Sequence, residues 1–175
     1  VVGRLEHDHL DIYPTMQSML QPFATLLQMV PNRGHIVHAS QCEAFVAMLA
    51  THAHAPHQAA LAPGAPWQVI FDDPSGTTFH LHHVDASTHH TVSWQSLFGQ
   101  YNGLNGALAM LAARQVGVTL KQAADVLASF QGVAKRLQCW SDTPGVTVYE
   151  DFAHHPTAMA LVIDALRHQH PKAKI

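Results

Sequence analysis

Charge is scarce in this sequence. Asp, Glu, Lys and Arg make up 12% of its 175 residues, about half the usual share. Hydrophobic residues make up 47%, so the low hydrophobicity and high charge that keep chains disordered are missing. Nine Lys plus Arg against twelve Asp plus Glu leave a formal net charge of -3, which excludes the basic footprint of a nucleic-acid binder. Only two cysteines occur, Cys42 and Cys139. They exclude a disulfide framework and a four-Cys zinc site, and they fit a reducing, cytoplasmic compartment. No apolar run reaches the roughly 18–20 residues of a membrane helix. Arg4, Glu6, Asp8 and Asp11 crowd the start of the sequence, against a secretory signal there.

Histidine is the residue in excess, with 16 copies. They cluster at His52, His54 and His57, at His80, His82, His83, His89 and His90, and at His154 and His155. Below a pH of about 6.5 enough of them protonate to turn the net charge positive. Val1-Val2 reads as the tail of a buried strand, and Lys172 to Ile175 as the entry to another. The expectation is a piece of a longer protein, about one domain in size with part of a second.

The periodicity predicts an alternation of helices and strands. Residues 12–29 carry an apolar stripe of Met16, Met19, Leu20, Phe23, Leu26 and Leu27 at helical spacing, with Pro22 as an interior kink. His35–Ala39 reads as a strand, 41–51 as a helix and 52–66 as a loop. Trp67–Phe71, Thr77–Val84 and Thr91–Phe98 read as an antiparallel meander around the turn cluster at 72–76. Residues 102–116 form a helix with Leu104, Leu108, Leu111 and Ala112 on its buried face. Thr119 and Gln122 fit a capping box for the next helix, which buries Leu120, Ala124, Leu127 and Phe130 and stops at Gly132. Gly145–Tyr149 is a strand. His155-Pro156 opens a last helix, with Met159, Val162, Ile163 and Leu166 as its buried stripe. The class is α/β.

Four stretches are polar where strand meets helix, the place where open α/β sheets bind ligands. Glu6 to Asp11 packs two His, one Glu and two Asp, a donor set suited to Mg²⁺, or else a solvated helix start capped by Asp11. Three of its residues, His7, His9 and Asp11, also match most of a His-x-His-x-Asp-His zinc-hydrolase motif, but Ile12 stands where the closing His belongs. Asn102 and Asn105 enter a helix; their amides can read a heteroaromatic edge, or Asn102 can cap the helix. Lys135 and Arg136 follow a helix-ending Gly and suit a phosphate, or form a solvated basic turn. Asp151 ends a strand ahead of a helix N-terminus, where ribose and anions bind.

Read together and in this order, these stretches resemble the Mur ligase family. The matching residues are Leu5-Glu-His-Asp-His-Leu-Asp-Ile-Tyr13, Gly99-Gln-Tyr-Asn-Gly-Leu-Asn-Gly-Ala-Leu-Ala109, Phe130-Gln-Gly-Val-Ala-Lys-Arg-Leu137 and Val148-Tyr-Glu-Asp-Phe-Ala-His-His-Pro-Thr-Ala158. Glu150-Asp151 and Phe152 favour the branch that joins UDP-N-acetylmuramate to the murein tripeptide L-alanyl-γ-D-glutamyl-meso-diaminopimelate, in peptidoglycan recycling. The branch that adds L-alanine to UDP-N-acetylmuramate is the alternative.

The resemblance implies an ATP- and Mg²⁺-dependent, amide-forming reaction through an acyl phosphate. It implies that His9 is a metal ligand at the phosphoryl group, that Asn102 and Asn105 contact the nucleotide around the adenine, and that Arg136 serves both nucleotide and catalysis. Asp151, with His154 beside it, falls at the ribose and the domain joint. It further implies a mostly parallel P-loop-type sheet with flanking helices. Residues 1–139 would be the latter part of a central ATP-binding domain, and 140–175 the start of a Rossmann-like C-terminal domain. Tyr101 departs from the pattern, which usually has His there, and Gln138 stands where Glu is common. No Gly-rich run ending in Gly-Lys-Thr or Gly-Lys-Ser occurs in the 175 residues, so these residues alone are expected to lack turnover. A non-catalytic metal-binding module remains as a reading of another class, since His80-x-His82 on a strand puts both imidazoles on one face.

Overall fold

The computed structural model describes residues 1–39, 42–59, 61, 64–87 and 89–175. The first region holds α1 (Met16–Met29), β1 (Ile36–His38), α2 (Glu43–His52) and β2 (His57–Ala59). A capping box fixes the start of α1. Ser18 N–H donates to Thr15 Oγ1 at 3.1 Å, and Thr15 N–H donates to Ser18 Oγ at 3.1 Å. The helix therefore begins at Met16 rather than at residue 12, and it runs on through Pro22. β1 pairs with β2 in parallel. On the other side of β1, Val2 bridges to His38, also in parallel, with Val2 N–H donating to Val37 O at 2.9 Å. Val2 is buried at this bridge, while Val1 is exposed. The loop expected over 52–66 is corrected at His57–Ala59: this stretch has no alternating pattern, and pairing to β1 makes it a strand. The rest of that expectation includes 60, 62 and 63, which lie outside the described residues. Phe45, Leu27, Leu20, Ile36 and Leu49 form the core of this region.

The second region is the meander. β3 (Trp67–Phe71), β4 (Thr78–His83) and β5 (His89–Ser93) form an antiparallel sheet in that order. Phe79, Leu81 and Val92 are fully buried on its inner face. β5 ends at Ser93, short of the expected Phe98, because Trp94 turns inward and its Nε1 donates to Leu127 O at 2.8 Å. α3 (Gln100–Arg114) and α4 (Leu120–Ala128) cover this face. α3 meets the sheet with small residues rather than through Leu104 and Ala112. Gly103, Gly106, Ala107 and Met110 are buried along with Leu108 and Leu111. A Cβ on Gly103 would stand 2.5 Å from the Phe71 ring, so glycine sets how closely helix and sheet approach. The Thr119–Gln122 capping box of α4 is present. Phe130, expected inside, is 44% exposed.

The third region is a hairpin of β6 (Gln138–Thr143) and β7 (Val146–Glu150), followed by α5 (Pro156–Gln169). β6 escapes a period-two reading because a bulge between Cys139 and Ser141 shifts its register. A division after Cys139 would cut this strand. The stripe expected on α5 is also corrected. Met159 and Ile163 are exposed, and Ala165 is the buried residue. Val162 and Leu166 pack beside it on Phe98 and Leu137.

The architecture is mixed α/β. Among the described residues, parallel pairing is confined to β1, β2 and Val2, while the other two sheets are antiparallel. The expected antiparallel meander is present, and the parallel pairing that these residues form is limited to this small first sheet. No helix among them is long and apolar enough to cross a membrane.

Candidate functional site

A cavity of about 690 Å³ brings together Asn102 and Asn105 from α3, Arg136 from the loop after α4, and Ala158 and Leu161 from α5. Its construction starts at Gly99, the N-cap of α3, with φ 90°. A Cβ on Gly99 would lie 2.8 Å from Tyr101 Cε1 and 3.1 Å from Ala165 Cβ, so only glycine lets α3 begin this close to α5. The first two turns of α3 then set Asn102 and Asn105 three residues apart, on one face. Asn102 does not cap the helix; its Nδ2 donates to Phe98 O at 2.7 Å, which fixes the amide. Trp94, Leu97, Leu127 and Phe130 supply apolar walls. Apolar walls, two amides and a guanidinium suit a flat heteroaromatic group that carries an anion. Arg4 also lines this cavity and pairs with Glu6. Sequence reading passed over Arg4, although it is one of only nine Lys plus Arg.

The loop that carries Arg136 is unusual. Gly132 has φ 96°, and Lys135 and Leu137 take left-handed φ values of 59° and 46°. Such angles cost free energy in non-glycine residues and persist where surrounding contacts hold them. Asp151 provides those contacts. Its Oδ2 accepts from Leu137 N–H at 2.8 Å, and its Oδ1 accepts from Ala153 N–H at 2.7 Å. Phe152 N–H donates to Lys135 O at 2.9 Å. Arg136 Nη1 is 3.9 Å from Asp151 Oδ1, and the Asp151 side chain is only 8% exposed. Asp151 thus ties the Arg136 loop to the segment that enters α5. Beside it, burial pushes the Tyr101 hydroxyl up to about 12, with the Asp151 charge acting in the same direction. It stays protonated at neutral pH.

His9 and His154 are not among the residues lining this cavity. They lie together at a second spot. His9 takes φ 54°, and its carbonyl accepts from Ile12 N–H at 2.9 Å and Tyr13 N–H at 2.7 Å. This tight turn leaves the imidazole exposed; Asp11 is not a helix cap, since Thr15 holds that role. Asp8 Oδ2 lies 4.0 Å from His9 Nε2 and 3.9 Å from His154 Nε2, and the two rings are 6.5 Å apart. The His9 backbone N–H, on Asp8 Oδ1 at 2.8 Å, and then nearby imidazoles hold the Asp8 carboxyl below its ordinary value. His155 Nδ1 is 3.3 Å from Glu6 Oε2. The first and fourth polar stretches therefore touch.

Mg²⁺ keeps waters and substrate phosphates and takes only one or two protein ligands, so the second spot offers Asp8 and the exposed His9 as the residues that could hold it. The spot does not fit zinc chemistry. Among the described residues, no group of three or more His, Cys, Asp or Glu side chains is arranged to hold a metal. His7, needed for a zinc hydrolase, spends its Nε2 on Tyr13 O at 2.8 Å. His80 spends its nitrogens on Asp72 Oδ1 at 2.7 Å and Thr91 Oγ1 at 2.8 Å.

Residues 1–113 match the family model of the Mur ligase middle domain. The chain belongs to the Mur ligase family. It is 32% identical over 178 residues to the UDP-N-acetylmuramate–L-alanyl-γ-D-glutamyl-meso-2,6-diaminoheptandioate ligase of Escherichia coli (strain K12), covering 95% of this chain and 36% of that protein. It is 30% identical to the UDP-N-acetylmuramate–L-alanine ligase of Rubrobacter xylanophilus, with the same coverage of each. The crystal structure of a murein peptide ligase from Psychrobacter arcticus matches with a TM-score of 0.67 and 26% identity, over 98% of this chain and 35% of that one. The chain thus spans about a third of the length of the Mur ligases it matches. Its Asn102, Asn105 and Arg136 meet on the cavity, Asp151 braces that cavity's loop, and His9 and His154 meet beside Asp8.

Proposed function

We propose that this chain is the nucleotide-binding and joint-forming part of an ATP-dependent ligase that joins UDP-N-acetylmuramate to L-alanyl-γ-D-glutamyl-meso-diaminopimelate through an acyl phosphate. The cavity on which Asn102, Asn105 and Arg136 converge carries this reading. Asn102 and Asn105 would meet the adenine edge, and the apolar walls would sandwich its faces. Arg136 would neutralise phosphate charge. Asp151 would hold the Arg136 loop and meet the ribose, with His154 next to it.

His9 would hold Mg²⁺ near the transferred phosphoryl group, with Asp8 keeping the imidazole in place. The metal supplies charge stabilisation at the phosphoryl oxygens. The division between a central ATP-binding unit and a C-terminal unit would fall just ahead of β6, near the 139/140 boundary read from the sequence. The reaction would take place in the cytoplasm, in peptidoglycan recycling.

The test uses the full-length gene product with ATP, Mg²⁺ and UDP-N-acetylmuramate, offered either the tripeptide or L-alanine. Mass spectrometry should find the tripeptide adduct with matching ADP release. An adduct with L-alanine alone would reassign the protein to the L-alanine branch. No amide product with either amine would overturn the reading.

A further inference from the structure

Arg4 gives the cavity a second cation. Arg4 and Arg136 both line it, and among the described residues no Asp or Glu does. Each guanidinium is held by a carboxylate that stands outside the lining: Arg136 Nη1 lies 3.9 Å from Asp151 Oδ1, and Arg4 Nε meets Glu6 Oε1. A ligand in the cavity therefore faces two positive charges and no negative one, beside the amides of Asn102 and Asn105.

The hold on Arg4 orients the side chain without consuming it. Glu6 meets the guanidinium at Nε, the nitrogen next to the aliphatic stem. A guanidinium carries five N–H donors in a fixed fork, and Glu6 is its one charged partner among the described residues. Glu6 is anchored in turn. Its other oxygen, Oε2, lies 3.3 Å from Nδ1 of His155, the N-cap of α5, and α5 contributes Ala158 and Leu161 to the same cavity. One carboxylate thus ties Arg4 to the helix that walls the cavity. The Arg4 side chain stays 62% exposed, and an ion pair so open to water contributes little. A phosphate next to apolar walls gains more from the fork than that exposed pair loses.

One guanidinium is enough for a ligand with a single anionic group. Two of them suit negative charge spread over several groups, as in a phosphoanhydride chain. We propose that Arg4 is a substrate-binding residue: with Arg136 it takes the phosphates of a nucleoside polyphosphate whose base lies at Asn102 and Asn105, and it sets the cavity's preference for the polyphosphate over the bare nucleoside. The proposal rests on the nucleotide reading of the cavity.

The test compares wild type, Arg4→Gln and Arg4→Lys in the full-length protein, with Mg²⁺ present throughout. Calorimetric titration measures the affinity for a non-hydrolysable ATP analogue and for adenosine, and thermal unfolding without ligand reads the fold. Arg4→Gln should weaken analogue binding about tenfold, the loss of one hydrogen bond to a charged acceptor, and leave adenosine binding unchanged. Arg4→Lys keeps the charge but not the fork, and should recover part of the loss. The ligand-free melting temperature should be the same for all three, because the ion pair that is lost is exposed.

Unchanged analogue affinity in Arg4→Gln would leave Arg4 as a surface partner of Glu6 and overturn the proposal. An equal loss for analogue and adenosine, or a lower melting temperature, would make Arg4 a structural part of the wall and overturn it as well. If wild type itself fails to bind the analogue, it is the nucleotide reading that falls, and the role of Arg4 with it.

Discussion

Replacing Asp151 with Ala should loosen the loop that presents Arg136, and the size of the effect follows from the contacts. The carboxylate accepts from Leu137 N–H at 2.8 Å and from Ala153 N–H at 2.7 Å. Both are hydrogen bonds to an ionised group, worth about 1.5 kcal/mol each net. Leu137 is 7% exposed, so water cannot readily replace its lost acceptor. Leu137 and Lys135 also hold left-handed φ values, which the chain abandons once the tie is cut. The sum is about 3 kcal/mol of local stability, or roughly a hundredfold faster amide exchange at Leu137 and Ala153.

Hydrogen exchange with mass spectrometry on the full-length protein reads this directly. Asp151→Asn, which keeps one acceptor oxygen, should give about half the effect in kcal/mol. Unchanged exchange at both amides in Asp151→Ala would refute the bracing role. The same variant separates a second function. If Asp151 also meets the ribose, 2′-deoxy-ATP penalises wild type and hardly changes Asp151→Ala, while the KM for ATP rises and kcat falls. An equal penalty for both would leave Asp151 as a brace alone.

Gly76→Ala should destabilise the protein by about 2–4 kcal/mol, because Gly76 has φ 68° and a Cβ there would stand 2.5 Å from the Gln100 backbone nitrogen; a denaturation midpoint equal to wild type would contradict this. Asp73 is held below its ordinary 3.8 by hydrogen bonds from Ser75, including its N–H at 2.6 Å. A depressed carboxyl stabilises above that value and loses its contribution as pH falls through the lowered value. Melting temperatures of wild type and Asp73→Ala should therefore differ at pH 7 and converge near pH 2. His9→Ala in the full-length enzyme should raise the Mg²⁺ requirement and lower turnover without moving the melting temperature, since its side chain is 61% exposed; an unchanged Mg²⁺ titration would leave His9 outside the metal site.

Where the sequence spoke in local terms, it was legible. The capping box at Thr119–Gln122, the strand Trp67–Phe71 and Pro156 at the start of α5 each depend on a few adjacent residues. What escaped depends on contacts made elsewhere. β2 is a strand because β1 offers it an edge. β6 loses its alternation to a bulge. α3 sets Gly103 and Gly106 beside Leu108 and Leu111 toward the sheet because Phe71, Phe79 and Trp94 already fill the space at the glycines. α5 buries only a narrow strip because Phe98, Tyr101, Leu137 and Tyr149 cover only that strip.

The site divides along the same line. Asn102, Asn105 and Arg136 are distinctive in type and spacing, and they converge on one cavity. Arg4 carries no such signal; only the fold brings it to the cavity. Both arginines of the cavity are already engaged, Arg4 with Glu6 and Arg136 with Asp151. Each pairing carboxylate has a second attachment: Glu6 meets His155 at 3.3 Å, and Asp151 holds the Leu137 and Ala153 amides. An anion entering the cavity must therefore compete with two carboxylates that join the start of the chain and the Arg136 loop to the entrance of α5. By linkage, a ligand that draws the arginines away shifts that joint, and a change at the joint alters ligand affinity by the same free energy. The four polar stretches belong together for this reason: two of them face the cavity, and the other two are wired to it through the charges that its arginines give up.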